Sequence, residues 1–222
     1  SKLLARDANI PLHEAQDRIA QKEGFRSWSM LSSRVASQSM PAPLLQRLVA
    51  GDMLLIGARP GHGKTMLGLR LLIDAAQEGR RAVLFSLEYT EGEAIHHMQS
   101  LGATGHPPEI VTSDDISAGF IVEHLAGSPR GTVAVIDYLQ ALDQQRTKPA
   151  LDEQVKSLSR FAKASGVVFA FISQIDRSFD TALNALPGVS DIRFPNAVPV
   201  GLFSKACFLH AGKMRVRAIN PL

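Results

Sequence analysis

The stretch of sequence that decides the fold runs from Met53 to Thr65 and reads Met-Leu-Leu-Ile-Gly-Ala-Arg-Pro-Gly-His-Gly-Lys-Thr. It begins with a continuous apolar run of strand length, and an almost entirely apolar helical pattern follows from Lys64 to Gln77. In the loop between them, small residues allow successive backbone N–H groups to converge on phosphate oxygens at the start of a helix. A lysine that reaches the terminal phosphates and a threonine hydroxyl that suits Mg²⁺ close the loop. The stretch therefore predicts a phosphate-binding loop of the Walker A type, with Ala58 in place of the usual first glycine.

The residues expected to hold a nucleotide belong to this loop and to the first turn of the helix behind it. They are Arg59, Pro60, Gly61, His62, Gly63, Lys64, Thr65 and Met66. The alternative interpretation is a chance glycine-rich turn before a helix. The position of the Gly-Lys-Thr triplet at the helix start argues against that alternative.

Strand-length apolar runs alternate with helical patterns through the rest of the chain. After the first run at 53–57, the runs cover 82–87, 109–112, 132–136 and 167–172. Two final runs, 205–210 and 213–219, flank Ala211-Gly212 and are typical of a terminal hairpin. Strands that are apolar on both faces and alternate with helices predict an α/β fold, with a parallel-core sheet and helices on both of its faces. Ligands of such sheets bind outside the carboxyl ends of the strands.

Three polar residues follow buried strands and are expected at that edge of the sheet. Asp137 is predicted to support a metal ion, and Glu88 to act as the general base that polarises an attacking water. Gln174 has an amide that can both donate to a phosphate oxygen and accept from water, so it is a candidate phosphate sensor. The alternatives are a turn-forming aspartate, a helix-capping glutamate ahead of Thr90 and a surface glutamine.

The composition of the 222 residues is that of an ordinary globular protein, with 45% hydrophobic and 20% charged residues. No apolar run is long enough to span a bilayer, and residues 1–7 lack the pattern of a secretory signal. The single cysteine, Cys207, favours a reducing, cytoplasmic setting. The seven scattered histidines show no zinc spacing, and the net charge of +3 permits but does not require nucleic-acid contact.

The amino-terminal segment differs in pattern from the rest. Residues 1–36 read as a small helical hairpin, with one helix up to Lys22, a cap at Gly24 and a second helix over 28–35. The Ser- and Pro-containing stretch that follows predicts a linker over 37–49, and the main domain is expected over 50–222. Because the hairpin is too short to hold a core alone, it is expected to pack on the main body or on a neighbouring subunit.

Four motifs, taken together, resemble the ATPase domain of DnaB-type replicative helicases. They are Gly57–Thr65 with its alanine start, Phe-Ser-Leu-Glu at 85–88, Asp-Tyr-Leu-Gln at 137–140 and Ser-Gln-Ile-Asp-Arg at 173–177. The resemblance covers about residues 50 to 219 and implies a RecA-like fold. It also implies a Mg²⁺-dependent ATPase in which Lys64 and Thr65 contact phosphates and Mg²⁺, while Glu88, Asp137 and Gln174 have the roles given above.

The resemblance implies that two loops, near 143–150 and 176–193, face single-stranded DNA in the channel of a hexameric ring. Their basic residues, expected to contact DNA phosphates, are Arg146, Lys148, Arg177 and Arg193. The family's amino-terminal collar domain is not expected in this chain. Lys213-Met214-Arg215 has the letters of the family's Lys-x-Arg finger, which enters a neighbour's ATP site, but it follows a tight turn and reads as an exposed strand start.

Two functions remain open from the sequence. The first is a DnaB-like helicase-type ATPase that acts on DNA. The second is a nucleotide-dependent switch or accessory ATPase, similar to KaiC and RadA, which signals to a protein partner through residues 1–36 without unwinding. A third and weaker possibility, a binding module without turnover, is disfavoured by the complete catalytic set.

Overall fold

The computed structural model describes residues 6, 8–38, 43–139, 142, 148–176, 179, 186–192 and 198–219. Seven strands occur in this part of the chain: β1 (Met53–Ala58), β2 (Ala82–Ser86), β3 (Glu109–Val111), β4 (Val133–Asp137), β5 (Val168–Gln174), β6 (Lys205–His210) and β7 (Lys213–Ala218). They form one sheet in the order β3-β2-β4-β5-β1-β6-β7. All neighbouring pairs are parallel except β6 and β7, which form an antiparallel hairpin. The predicted α/β fold with a parallel core and a terminal hairpin is therefore confirmed.

Helices cover both faces of this sheet. The α-helices are α1 (Leu12–Lys22), α2 (Trp28–Gln38), α3 (Lys64–Gln77), α4 (Glu91–Ser100), α5 (Ala118–His124) and α6 (Leu151–Ser165). Short 3₁₀ helices cover Leu44–Arg47, Val189–Asp191 and Val200–Leu202. The core on one face contains side chains of α2, α3 and α4, and the core on the other face contains those of α5 and α6. None of the helices in the described ranges is long and apolar enough to cross a membrane.

Helix α3 lies against the middle of the sheet because the sequence provides a glycine at the point of closest approach. A Cβ built on Gly68 would lie 2.8 Å from Cδ1 of Ile172 and 3.1 Å from Cγ1 of Val135. Both neighbours are buried on the central strands β5 and β4. The close approach sets the start of α3 directly behind the loop that follows β1, which is the predicted phosphate-binding loop.

The amino-terminal hairpin packs on the α3 side of the main body. Met30 of α2 is buried in the core that also contains α3 and α4, and the Ser100 hydroxyl of α4 donates to the Met30 sulfur at 3.9 Å. Helix α2 extends to Gln38, three residues beyond the predicted end. Within the predicted linker, Leu44 and Leu45 are buried in the same core. The two leucines explain why this segment packs on the core. Burying their side chains stabilises the fold more than exposing the neighbouring polar residues would.

We expect alanine to have different effects on stability at two helical glycines. Gly68→Ala should lower the free energy of unfolding by about 1–2 kcal/mol, because the added methyl overpacks α3 against the sheet. The matched control is Gly92→Ala in α4, where a Cβ would meet nothing within 4 Å. This change should be neutral or stabilise by up to about 0.5–1 kcal/mol through helix propensity. Denaturant melts of the two variants provide the measurement, and equal effects would contradict the described packing of α3.

Candidate nucleotide-binding site

The loop between β1 and α3 has the backbone conformation that its glycines allow. Gly61 and Gly63 have φ angles of +76° and +83°, in the left-handed region that favours glycine. The His62 N–H donates to the Arg59 carbonyl at 3.2 Å, which tightens the turn. Gly63 is the residue that caps α3, and it has no side chain to satisfy the amides of the first helical turn. Those amides, at the positive end of the helix dipole, are suited to bind an anion.

Lys64 and Thr65 are the first two residues of α3, so the helix holds both at the mouth of the loop. Thr65 is buried and Lys64 is half-buried. The positive charge of Lys64 lies near enough to Asp137 to lower the pKa of that carboxyl, and the nearby Thr65 hydroxyl acts in the same direction. The loop lysine, the loop threonine and the acid at the end of β4 therefore meet at one place, as the sequence predicts.

The burial of the Asp137 carboxylate is only partly compensated by Lys64 and Thr65. Its residue is 1% exposed, and neither carboxylate oxygen has a hydrogen-bond partner within the described part of the chain. Burial, together with the charge of Glu88, raises the pKa of Asp137 to about 7 in spite of Lys64 and Thr65. A buried carboxylate of this kind is costly unless it binds a cation or hydrogen-bond donors. A hydrated Mg²⁺ would supply both, so Asp137 and Thr65 fit the predicted metal site, although the described residues contain no cluster of three or more typical metal ligands.

Glu88 lies in the turn after β2, two residues beyond the end of the strand. The Ser86 hydroxyl accepts the backbone N–H groups of Glu88 and Tyr89 at 3.1 and 3.3 Å, and so fixes the turn. The Leu87 N–H donates to the Asp137 carbonyl at 3.4 Å, which joins the turn to the end of β4. The carboxylate of Glu88 is exposed, and its charge acts on Asp137. This carboxylate is open to solvent at the carboxyl edge of the sheet.

Gln174 is the last residue of β5 and lies between the loop and Asp137. Its Cα is paired with Ala58, where the loop begins, and the Ile175 N–H donates to the Ala58 carbonyl at 3.1 Å. Since β2, β4, β5 and β1 are consecutive in the sheet, Glu88, Asp137, Gln174 and the loop lie in a row along its carboxyl edge. The structure thus brings together all four groups that the sequence singles out.

Two residues of this site have no predicted role in the sequence interpretation. Tyr89 is half-buried, and burial with the charges of Asp137 and Glu88 raises its pKa to about 12. A neutral phenol therefore lies beside the two acids. Ser86 holds the Glu88 turn, as described above. Serine is a common turn-forming residue. The serine of the Phe-Ser-Leu-Glu motif is therefore a sequence signal for the turn that holds Glu88.

The outer side of the loop is held by residues that are distant in sequence. The Ala211 N–H, in the turn between β6 and β7, donates to Nδ1 of His62 at 3.2 Å, and the rings of His62 and His210 stack with centroids 4.7 Å apart. The Arg59 guanidinium donates to the Phe179 carbonyl at 2.8 Å and lies 5.9 Å from the centre of the Phe179 ring. These two side chains contact neighbouring segments and anchor the loop to them. No local sequence signal indicates these contacts.

The predicted DNA-contacting residues are only partly within the described structure. Arg146, Arg177 and Arg193 lie outside the described residues. The ammonium of Lys148 donates to the carbonyls of Asp114 and Ile116 at 2.8 and 2.9 Å, and so links residue 148 to the segment before α5. The Lys148 ammonium is therefore hydrogen-bonded to backbone carbonyls of its own chain.

Lys213 and Arg215, which have the letters of a Lys-x-Arg finger, are exposed on the edge strand β7. They alternate with Met214 and Val216, which pack on the core that contains α3. Among the described residues neither cation takes part in a salt bridge. Both therefore face away from their own subunit's core, as the strand interpretation predicts.

The sheet order, with a glycine-rich loop between the first strand and the helix behind it, conforms to a RecA-like α/β fold. Among solved structures, one ATPase domain is similar with a TM-score of 0.60 and 19% identity, covering 72% of this chain and 69% of that one. A DnaB-like replicative helicase solved with its primase interactions gives 0.59 and 19%, covering 72% and 47%. A KaiC-like protein, PH0186 from Pyrococcus horikoshii OT3, gives 0.55 and 15%, covering 74% and 76%. The predicted fold is confirmed, and so is the predicted resemblance to DnaB-type ATPase domains at the level of fold.

One curated relative adds sequence similarity. The DNA repair protein RadA of Brucella abortus (strain 2308) is 28% identical over 138 residues, which is 58% of this chain and 29% of the relative. The chain thus spans less than a third of that relative's length. No protein-family model matches the chain.

We expect Asp137→Asn to stabilise the nucleotide-free protein. At pH 8 the wild-type carboxylate is ionised and buried with only partial compensation from Lys64 and Thr65, so removing its charge should raise the free energy of unfolding by about 1–4 kcal/mol. The pKa of Asp137 is raised on folding, so this disadvantage of the wild type develops between about pH 4 and pH 7 and is absent at lower pH. Denaturant melts at pH 8 and pH 5 should show a smaller gap at pH 5. A destabilised Asn variant at pH 8 would contradict the described environment of Asp137.

Proposed function

We propose that this chain binds ATP with Mg²⁺ and hydrolyses it, and that it does so as a DnaB-like helicase-type ATPase acting on DNA. The observation that carries the proposal is the row of functional groups along the carboxyl edge of four consecutive strands. Within that row, the buried Asp137 carboxylate without a partner among the described residues supports a metal-bound nucleotide in particular. The names of the relatives, a replicative helicase and a DNA repair protein, support action on DNA.

The roles of the residues follow from where the chain places them. The amides of the loop and the ammonium of Lys64 bind the phosphates of the nucleotide. Thr65, directly, and Asp137, through water, would hold Mg²⁺, which when bound neutralises phosphate charge as the terminal phosphate is transferred. Glu88 orients the attacking water and accepts its proton. Gln174, between the loop and Asp137, donates to the terminal phosphate and accepts from the same water.

Binding and turnover should separate in two variants. Glu88→Gln removes the base but leaves the loop intact, so we expect nearly unchanged ATP affinity and a turnover lower by about 10²–10⁴-fold. Lys64→Ala removes a charge-assisted contact and should weaken ATP binding by about 10- to 100-fold. Titration calorimetry and steady-state ATPase assays measure the two effects.

Matched controls keep this interpretation specific. Glu91→Gln changes another exposed acid near the same turn, and Lys156→Ala changes an exposed lysine on α6 that pairs with Asp152. Both controls should stay within about twofold of the wild type, as is usual for surface substitutions. Wild-type turnover in Glu88→Gln would remove Glu88 from the mechanism. Unchanged affinity in Lys64→Ala would defeat the phosphate-loop assignment.

A second candidate function is the nucleotide-dependent switch that signals to a protein partner. The observation that favours it is the position of the amino-terminal hairpin. Helix α2 contacts both α3, which begins at the phosphate loop, and β7. At the β6–β7 turn, a Cβ on Gly212 would lie 3.2 Å from Cγ1 of Val35. A partner bound to this hairpin would therefore act on elements that adjoin the nucleotide site.

Stimulation by DNA distinguishes the two functions. A helicase-type motor should hydrolyse ATP several-fold faster with single-stranded DNA and should show a hexameric native mass. A DNA-indifferent monomer would contradict the motor and favour the switch. If Arg146 and Arg193 contact phosphates, alanine at each should reduce the salt dependence of DNA binding by about one unit of slope. Arg160→Ala, an exposed arginine on α6, is the control and should leave DNA binding unchanged.

A further inference from the structure

The contact between His62 and the β6–β7 turn joins two parts of the chain that are 149 residues apart. Nδ1 of His62 accepts the Ala211 N–H at 3.2 Å, and the His62 ring stacks on the ring of His210, with an interplanar angle of 22°. The His62 backbone meanwhile forms part of the phosphate loop, between Gly61 and Gly63. One residue therefore has its backbone in the nucleotide site and its side chain on the terminal hairpin.

The turn that His62 contacts has a demanding conformation. Ala211 and Gly212 both have positive φ, +48° and +77°, as a two-residue type I′ hairpin turn requires. Alanine is unfavourable in the left-handed region, by roughly 1–2 kcal/mol. The pairing of His210 with Lys213 closes the hairpin, and His62 accepts the N–H of the first turn residue. The conformation of this turn therefore depends partly on the position of the phosphate loop.

A second set of contacts holds the other side of the loop. Arg59 donates to the Phe179 carbonyl, and the Phe179 ring meets the His210 ring edge-on at 5.9 Å. The contacts run without a break from Arg59 through Phe179 and His210 to His62. They therefore connect a loop residue before Gly61 with one after it. A displacement of the loop backbone cannot leave this chain of side chains unchanged.

The charges around His62 keep its ring neutral. The ring is faced by His210 from β6, by Arg59 from the loop and by Lys64 from α3, all of which carry or can carry positive charge. Burial and these neighbours lower the pKa of His62 to about 4. A neutral ring that accepts at Nδ1 carries its proton on Nε2. The acceptor that the Ala211 N–H requires is therefore present at neutral pH.

We infer that His62 is a positioning residue that transmits nucleotide occupancy of the phosphate loop to the β6–β7 turn. The inference rests on the proposed function, because it requires that a nucleotide binds the loop. When the loop amides converge on phosphates, the His62 backbone is fixed, and its ring holds the Ala211 N–H more firmly. The turn begins β7, which carries the exposed Lys213 and Arg215, and it lies against Val35 of α2. Nucleotide binding is thereby coupled to a cationic edge and to the amino-terminal hairpin.

Amide hydrogen exchange at Ala211, followed by NMR, tests this coupling. Spectra of the complete chain are compared with and without a non-hydrolysable ATP analogue and Mg²⁺. In the wild type, the analogue should slow exchange of the Ala211 amide by about 3- to 10-fold, the range expected when one hydrogen bond becomes more persistent. This comparison requires no variant, so a variant that fails to fold does not affect it.

Three variants separate the hydrogen bond from the ring stack. His62→Phe keeps an aromatic ring without an acceptor, so Ala211 should exchange faster and the analogue should no longer slow it. His62→Asn restores an acceptor atom at the place of Nδ1 and should restore the response. Ala211→Gly is the control, because it relieves the positive-φ strain and keeps the N–H; the response to the analogue should remain.

The outcomes distinguish the coupling from the proposed function. An analogue that does not bind the wild type in calorimetry overturns the proposed function itself. If the analogue binds and Ala211 exchange does not change, the coupling alone is overturned. A His62→Phe variant that keeps the wild-type response also overturns it. Slowed exchange that is lost in Phe and regained in Asn supports it.

Discussion

The pairing of β1 with β5 on one side and β6 on the other is the constraint on which the rest of the site depends. A strand that is hydrogen-bonded along both edges holds the loop that follows it in a defined position at the carboxyl edge of the sheet. The same pairing sets Gln174 beside Ala58 and extends β6 past the loop, so that the β6–β7 turn reaches His62. The glycines of the loop then provide local conformational freedom on a rigid base.

Electrostatics in the site oppose folding and favour binding. The buried carboxylate of Asp137, with no described hydrogen-bond partner, destabilises the nucleotide-free protein. Lys64 compensates for part of this cost, and the raised pKa of Asp137 shows that compensation is incomplete. A bound cation would stabilise the same carboxylate. A gain in binding at the expense of stability is a common relationship in functional sites.

The periphery of the main domain is linked to this centre by side chains rather than by backbone pairing. The amino-terminal hairpin reaches α3 and α4 through Met30, and the side chains of Arg26 and His96 are also in contact. The terminal hairpin reaches the loop through His62. Both appendages therefore adjoin the elements that form the candidate nucleotide site, which gives the second candidate function and the coupling at Ala211 a common structural basis.

The sequence by itself determined the sheet class, the loop and the row of acids and amide. Apolar runs without alternation define strands buried on both faces, and the residue after such a strand must lie at its carboxyl edge, so Asp137 and Gln174 could be placed without coordinates. Glu88 was placed in the same way, and the structure adds the Ser86 turn that holds it.

Only the tertiary structure decided which distant residues meet. No periodicity or spacing indicates the contact of His62 with Ala211, the burial of Leu44 and Leu45 in the predicted linker, or the bonding of the Lys148 ammonium to the carbonyls of residues 114 and 116. Each depends on the order in which strands join the sheet and on how closely helices approach it. Local sequence patterns determine which face of a helix or strand is buried. Which element packs against that face is decided only when the whole chain is folded.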